Sequence, residues 1–306
     1  MSTKTPLITI DHFRMDFGDK TVIKDLSFTV HRGETFGLLG SNGSGKTTTI
    51  RALLGIYQPT GGELLVNGNP YKVDGDTRLG YLPEERGLYQ KEKVIDIMTY
   101  FGQLKGLSRH EARDWSLNYL KRVELQDNAN TRLDKLSGGM QQKIQVGIAV
   151  MGDPQLLILD EPAKGFDPVN RRLLMSIIEE HQAKGATVIF VTHQMEEVER
   201  LCDRILLLKD GESRSYGTID EVKEQFDGNN ILEIVSENTL PKNEKLYKYL
   251  RKEGNINILE PIADLLAIQR SLVSAGVAYS RFEMKRPSLD DIFVSIYGAP
   301  TEEDKK

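Results

Sequence analysis

The run Thr35-Phe36-Gly37-Leu38-Leu39-Gly40-Ser41-Asn42-Gly43-Ser44-Gly45-Lys46-Thr47 constrains this chain more than any other part of it. A short apolar strand feeds a loop with glycines at 40, 43 and 45, and a helical pattern follows from Thr47 to Leu54. Strand, glycine loop and helix in that order open an α/β sheet whose first turn binds phosphate. Glycines let backbone N–H groups approach phosphate oxygens where side chains would block them. Ser41, Asn42, Gly43, Ser44, Gly45, Lys46, Thr47 and Thr48 are therefore the candidate cradle. Lys46 would reach the outer phosphates and the Thr47 hydroxyl would sit on Mg²⁺.

A second apolar run, Leu156 to Leu159, ends in Asp160-Glu161. A buried parallel strand of this kind delivers two carboxylates to its C-terminal edge, where open α/β sheets bind ligands. Asp160 is expected to hold Mg²⁺, and Glu161 to polarise the attacking water as general base. His193 follows the strand pattern Thr187 to Val191 and so reaches the same edge, where it could bond the γ-phosphate. A surface histidine at a helix start is the competing reading.

At 306 residues the chain exceeds the usual size of one core, so a large domain and a smaller one are expected. Strand signals fall at Leu7 to His12, Leu26 to Val30, Glu63 to Val66 and Leu79 to Leu82. From Val94 to Met151 the period is helical, with Ser108 and Glu111 spaced as a capping box. A helix over Pro168 to Lys184 has the length of a parallel crossover, and Ile205 to Leu208 with Ser213 to Tyr216 reads as a closing hairpin. The Asp227-Gly228-Asn229-Asn230 cluster reads as a linker. Beyond it, strands at Ile231 to Val235, Ile256 to Leu259 and Val277 to Phe282 are expected to alternate with helices. The expected division is 1–226, with a helical subdomain at about 84–151, then 227–300, then a disordered charged tail at 301–306.

The apolar runs are far too short to span a bilayer and no signal peptide is recognisable, so a cytoplasmic chain is expected. The formal charge of −5 argues against phosphate-backbone binding as the main business of the protein. Cys202, the single cysteine, permits no internal disulfide and reads as a small packed side chain.

With Leu136-Ser137-Gly138-Gly139 placed between the two phosphate-site motifs, residues 5 to 222 closely resemble the ATP-binding subunit of ABC transporters. The resemblance implies a P-loop NTPase cassette: a RecA-like α/β core, an antiparallel β subdomain and a helical subdomain, here with a small C-terminal α+β domain. It further implies a dimer, here a homodimer, with ATP and Mg²⁺ held between the phosphate loop of one subunit and Ser137, Gly138 and Gly139 of the other. Phe17 matches the aromatic that stacks on adenine, although a core strand aromatic fits as well. Asp167 matches the loop that crosses the dimer interface, although a helix N-cap before Pro168 fits as well.

Glu84 stands where the family usually has a glutamine that touches the metal or the water, and is expected at the nucleotide and Mg²⁺. Met140 and Phe166 also depart from the usual residues. Leu82-Pro83-Glu84-Glu85-Arg86-Gly87-Leu88-Tyr89, Gly139 to Lys143 and Arg286 to Phe293 look like the sodium-exporter type, which is similar to exporters of peptides and antibiotics. The implied partner is a separate integral membrane permease that holds the subunit on the inner face of the cell membrane, with no nucleic acid bound. A soluble ATPase of the same class acting on ribosomes or DNA is the rival. Those relatives usually carry two cassettes or long coiled coils, and this sequence shows one cassette without sustained heptads.

Overall fold

The computed structural model describes residues 5–72, 75–85, 87–226 and 230–298. Arg86, most of the expected linker at 227–230 and the expected tail at 301–306 lie outside the described residues. The chain forms two compact units, Met1–Tyr216 and Gly217–Lys306. The division falls ten residues before the expected boundary at 226, so the helix that follows residue 218 belongs to the second unit.

The first unit starts with β1 (Pro6–Phe17), β2 (Lys20–His31), β3 (Thr35–Leu39), α1 (Lys46–Leu53), β4 (Gly61–Val66) and β5 (Leu79–Leu82). It continues with α2 (Val94–Leu104), α3 (Arg109–Arg122), α4 (Gly138–Val150), β6 (Leu156–Asp160), α5 (Pro168–Ala183), β7 (Thr187–Val191), α6 (Met195–Leu201), β8 (Arg204–Lys209) and β9 (Glu212–Thr218). Among the described residues these strands form one sheet in the order β4-β1-β2-β9-β8-β3-β7-β6-β5. β1 pairs antiparallel with β2 and β4, whereas β8, β3, β7, β6 and β5 run parallel.

That split follows from the residues. All five positions of β3, of β6 and of β7 are buried, as a strand covered on both faces requires. Each Leu, Ile, Val or Phe removed from water there contributes about 1.5–3 kcal/mol. β2 instead alternates buried and exposed residues and lays Leu26, Phe28 and Val30 on a core that includes Phe36, Ile50 and Leu206. Phe28 and Phe36 stack with ring centroids 5.1 Å apart.

The helical stretch is α2, α3 and α4 with two short 3-10 turns, and its capping box forms as expected: Glu111 N–H donates to Ser108 Oγ and Ser108 N–H to Glu111 Oε2. Lys105, just past α2, donates from Nζ to the carbonyls of Ile148, Ala149 and Met151 at 2.5, 2.8 and 3.2 Å. It thereby satisfies the open C-terminal end of α4.

The second unit holds α7 (Ile219–Gln225), β10 (Ile231–Val235), β11 (Tyr247–Glu253), β12 (Ile256–Pro261), α8 (Leu265–Ser274), β13 (Arg281–Lys285) and α9 (Leu289–Tyr297). Its sheet runs β11-β12-β10-β13, antiparallel throughout. Two expectations are corrected here. The stretch between Val235 and Ile256 carries β11 rather than a helix, because Tyr247, Tyr249, Arg251 and Glu253 pair with β12 at the sheet edge. The strand expected from Val277 begins only at Arg281. Val277 is drawn into the small core with Leu232, Ile234 and Leu272, while Ala278 N–H bonds the Asn238 side chain and its carbonyl accepts from Ser236 Oγ.

Candidate functional site

Three neighbouring parallel strands build the site. β3, β7 and β6 lie side by side in that order, with Phe36 opposite Ile189 and Asp160 opposite Val191. Their C-terminal ends therefore bring the Gly40–Thr47 loop, His193 and the Asp160-Glu161 pair to one edge of the sheet.

The loop is held tightly where it leaves β3. A Cβ on Gly40 would lie 2.4 Å from Leu208 O and 2.5 Å from Ser44 Oγ, so no side chain fits. Gly45 caps α1 with φ 112°, a conformation that disfavours other residues. Beyond it, the N–H groups of Lys46, Thr47 and Thr48 occupy the first turn of α1, where no helical carbonyl can accept from them. They carry the positive end of the helix dipole. Ser44 Oγ is buried there without a hydrogen-bond partner, while Ser41, Asn42 and Gly43 form an exposed rim. Open N–H groups, an orphaned hydroxyl and a wall that excludes side chains suit a polyphosphate.

Lys46 crosses the loop, with Nζ donating to Gly40 O at 2.8 Å and Ser41 O at 3.0 Å. Burial pulls its pKa down, and the facing carboxylates of Glu161, Asp160 and Glu84 partly oppose that. Thr47 Oγ1 lies 3.4 Å from Asp160 Oδ2. Asp160 is 1% exposed, and burial, reinforced by the negative charges of Glu84 and Glu161, pushes its pKa up to about 6. A hydroxyl and a carboxylate, short of positive charge, are hard oxygen donors of the kind that Mg²⁺ takes alongside phosphate oxygens and water. The residues fit that ion.

Glu161 turns away from β6 with φ 49°, in the left-handed region, and its N–H bonds Val191 O at 2.9 Å. Its Oε1 meets His193 Nδ1 at 2.9 Å. That bond is the main cause of the raised pKa of His193, and it leaves Nε2 as the ring nitrogen for a phosphate. Glu84 stands close enough to act on Lys46 and Asp160 but is engaged elsewhere, accepting from Lys164 Nζ at 2.7 Å.

Phe17 is 45% exposed and meets Tyr57 edge-on at 5.3 Å, so it is no core aromatic. Ser137 caps α4, its Oγ accepting from Met140 N–H at 3.3 Å, and Gly139 borders Gly165 O and Phe166. Asp167 caps α5, with Oδ1 accepting from the N–H groups of Val169 and Asn170 at 2.9 and 2.8 Å. These bonds lower its pKa. Among the described residues no hydrogen bond or ion pair joins Ser137, Gly138, Gly139 or Asp167 to the Gly40–Thr48 cradle.

Sequence reasoning passed over Lys164, Thr192, Arg171 and Glu197. Lys164 lies three residues beyond Glu161, and Arg171 and Glu197 each lie four beyond an expected site residue, Asp167 and His193. Their partners lie far along the chain, Glu84 for Lys164 and Glu197 for Arg171, so no local spacing marked the pairs.

Residues 23–164 match the family described as "ABC transporter", and residues 217–297 match "ATP-binding protein DrrA1-3-like, C-terminal domain". An uncharacterised ABC transporter ATP-binding protein of Methanocaldococcus jannaschii is 44% identical over 71% of this chain and 79% of its own. The Nod factor export ATP-binding protein I of Rhizobium sp. (strain N33) is 35% identical over 94% of this chain and 96% of its own. A solved structure described as the ATP binding subunit of an ABC transporter superposes with a TM-score of 0.67 at 31% identity, over 72% of this chain and 93% of that one.

Proposed function

Because the chain belongs to the ABC transporter ATP-binding proteins, we propose that it drives export through a separate membrane permease by closing, as a homodimer, around two ATP molecules. The chain is an ATP-binding subunit of a family that couples ATP hydrolysis to transport, and it carries a DrrA-like C-terminal domain. The observation that carries the mechanistic reading is the 2.9 Å bond between Glu161 and His193 beside the Lys46, Thr47 and Asp160 cluster.

In this reading Phe17 stacks on adenine, and the N–H groups from Ser41 to Thr48 with Lys46 hold the phosphates. Thr47 and Asp160 hold Mg²⁺, whose chemistry is to neutralise charge on the β- and γ-phosphates. Glu161 takes a proton from the attacking water, and His193 fixes the carboxylate through Nδ1 while presenting Nε2 to the γ-phosphate. Glu84, bonded to Lys164, reaches the metal only by leaving that ion pair. Ser137, Gly138 and Gly139 complete the opposite subunit's site with the N-terminal end of α4, and Asp167 lies at the shared interface. Likeness to the family's dimer supports this completion in trans, and isologous symmetry then makes both sites equivalent. Closure follows from γ-phosphate contacts and opening from their loss.

No helix among the described residues is long and apolar enough to cross a membrane, which supports a separate permease that recruits the subunit to the inner membrane face. The formal charge of −5 supports a protein partner over nucleic acid. Cargo of the sodium, peptide or antibiotic class fits the Leu82 to Tyr89 and Arg286 to Phe293 patterns. Similarity to a Nod factor export protein supports outward transport.

The test is ATP turnover with Mg²⁺ for the parent and Glu161→Gln proteins, each sized by light scattering with ATP. Loss of turnover together with an ATP-stabilised dimer in the variant supports the reading. Equal turnover in the two proteins overturns the assignment of Glu161.

A further inference from the structure

A partly buried ionic contact links α5 to α6, the helices that follow Glu161 and His193 in the chain, and the proposed reaction does not use it. Thr192, immediately before His193, is buried, and its hydroxyl does two jobs. It accepts from Gln194 N–H at 3.1 Å, closing a turn around His193, and it donates to Glu197 Oε2 at 3.3 Å. Glu197 is itself only 5% exposed, in the first turn of α6. Its other oxygen, Oε1, faces Arg171 Nε at 3.4 Å, and neither atom has a hydrogen bond. Arg171 stands on the first turn of α5, with its N–H bonded to the carbonyl of Asp167, the residue that caps that helix.

A buried carboxylate is costly unless it is paired, so this contact specifies an arrangement more than it stabilises the fold. Burial raises the pKa of Glu197 and Arg171 opposes that, while Glu161 and His193 act on it from the other side. The continuous series Asp167, Arg171, Glu197, Thr192, His193, Glu161 therefore runs from the loop assigned to the subunit interface to the proposed general base. A contact at 3.4 Å that lacks hydrogen-bond alignment has room to tighten when α5 or α6 shifts.

We propose that Arg171 and Glu197 are positioning residues that set the His193 turn through Thr192, so that movement of the Asp167 segment changes how His193 holds Glu161. Neither residue touches substrate in this scheme. The proposal rests on the ATPase reading of the site, and the coupling, rather than proximity, is its testable content.

The experiment uses the full chain in four forms: parent, Arg171→Met, Glu197→Gln and the double variant. Arg171→Met keeps the stem and Glu197→Gln keeps an acceptor for Thr192, so melting within a few degrees of the parent is expected. The first readout is amide hydrogen exchange at Gln194, which needs no nucleotide. Exchange there should rise at least about tenfold in each single variant, with protection in β3 and β7 unchanged, and no further in the double variant. The second readout is steady-state turnover: kcat should fall about tenfold in each single variant with KM for ATP within about twofold, the double variant should match the singles, and Arg171→Lys should recover most of the loss.

Unchanged Gln194 exchange in Arg171→Met overturns the relay whatever the turnover. Additive losses in the double variant overturn it as well. A parent that fails to hydrolyse ATP overturns the ATPase reading on its own, while Gln194 exchange still decides whether the contact holds the turn. Should Arg171→Met melt far below the parent, Arg171→Gln with the same readouts takes its place.

Discussion

Oε1 of Glu161 and Nδ1 of His193 lie 2.9 Å apart, although the two residues sit 32 positions apart in the chain on separate strand ends. Replacing Glu161 by Gln keeps the shape of the pair and removes the proton acceptor. A loss of about 10²- to 10⁴-fold in kcat is expected, with KM for ATP little changed, measured by phosphate release. The same substitution should lower the titration midpoint of His193, followed by ring proton resonances. The bond favours the charged imidazole, so its stabilisation is complete below the ordinary histidine pKa and is lost as pH rises through the elevated folded value.

Asp160 titrates near pH 6 in the folded protein because it is buried beside two other carboxylates. Its folded pKa lies above the ordinary carboxylate range, so without metal the protein is stabilised as pH falls from about 6 to about 4 and loses that stability as pH rises again. Mg²⁺ needs the ionised group. A larger rise in melting temperature on adding Mg²⁺ and ATP is expected at pH 7.5 than at pH 5.5, with an acid limb of turnover near pH 6. Glu84→Gln removes one of the crowding charges and should move that limb to lower pH. A limb that stays in place would show that Glu84 does not act on Asp160.

Gly40→Ala would place a methyl 2.4 Å from Leu208 O, which is backbone and cannot swing aside. Overpacking of this kind costs about 1–3 kcal/mol, and here the strain lands on Ser44. The expected result is a lowered melting temperature and a loss of at least about tenfold in ATP affinity by equilibrium dialysis.

Lys105→Met keeps an unbranched, flexible stem one atom shorter, removes the ammonium group, and strands three carbonyls at the end of α4. Each buried carbonyl left without a donor costs about 1–3 kcal/mol, offset where water enters. A net loss of about 3 kcal/mol would lower the melting temperature by roughly 6–12 °C on scanning calorimetry. Because α4 begins at the Ser137 cap, ATP-dependent dimerisation should weaken as well.

That the Gly40–Thr47 loop and the Asp160-Glu161 pair meet at one sheet edge was legible, because phosphate chemistry dictates residue type and spacing together. A glycine at 40, a lysine at 46 and a carboxylate pair closing an apolar strand leave few alternatives. β11 was not legible, because an edge strand paired on one side leaves Lys248, Tyr249, Lys252 and Glu253 exposed and shows little apolar pattern. Val277 misled for the opposite reason, since its burial comes from loop packing under α8 rather than from strand pairing. Lys164, Arg171 and Glu197 escaped because an ion pair between distant segments has no local signature. Phe17 needed the structure to separate an exposed ring from a core one.

The backbone of Glu161 has a consequence for anyone who would redesign this chain. A side-chained residue held at φ 49° carries roughly 1–2 kcal/mol of conformational strain that glycine would not. Heat-resistance screens that score folding alone should therefore select Glu161→Gly, a protein that survives higher temperature and no longer turns over ATP. Glu161 is one of six non-glycine residues with positive φ among the described residues, and at this one durability and work trade directly against each other.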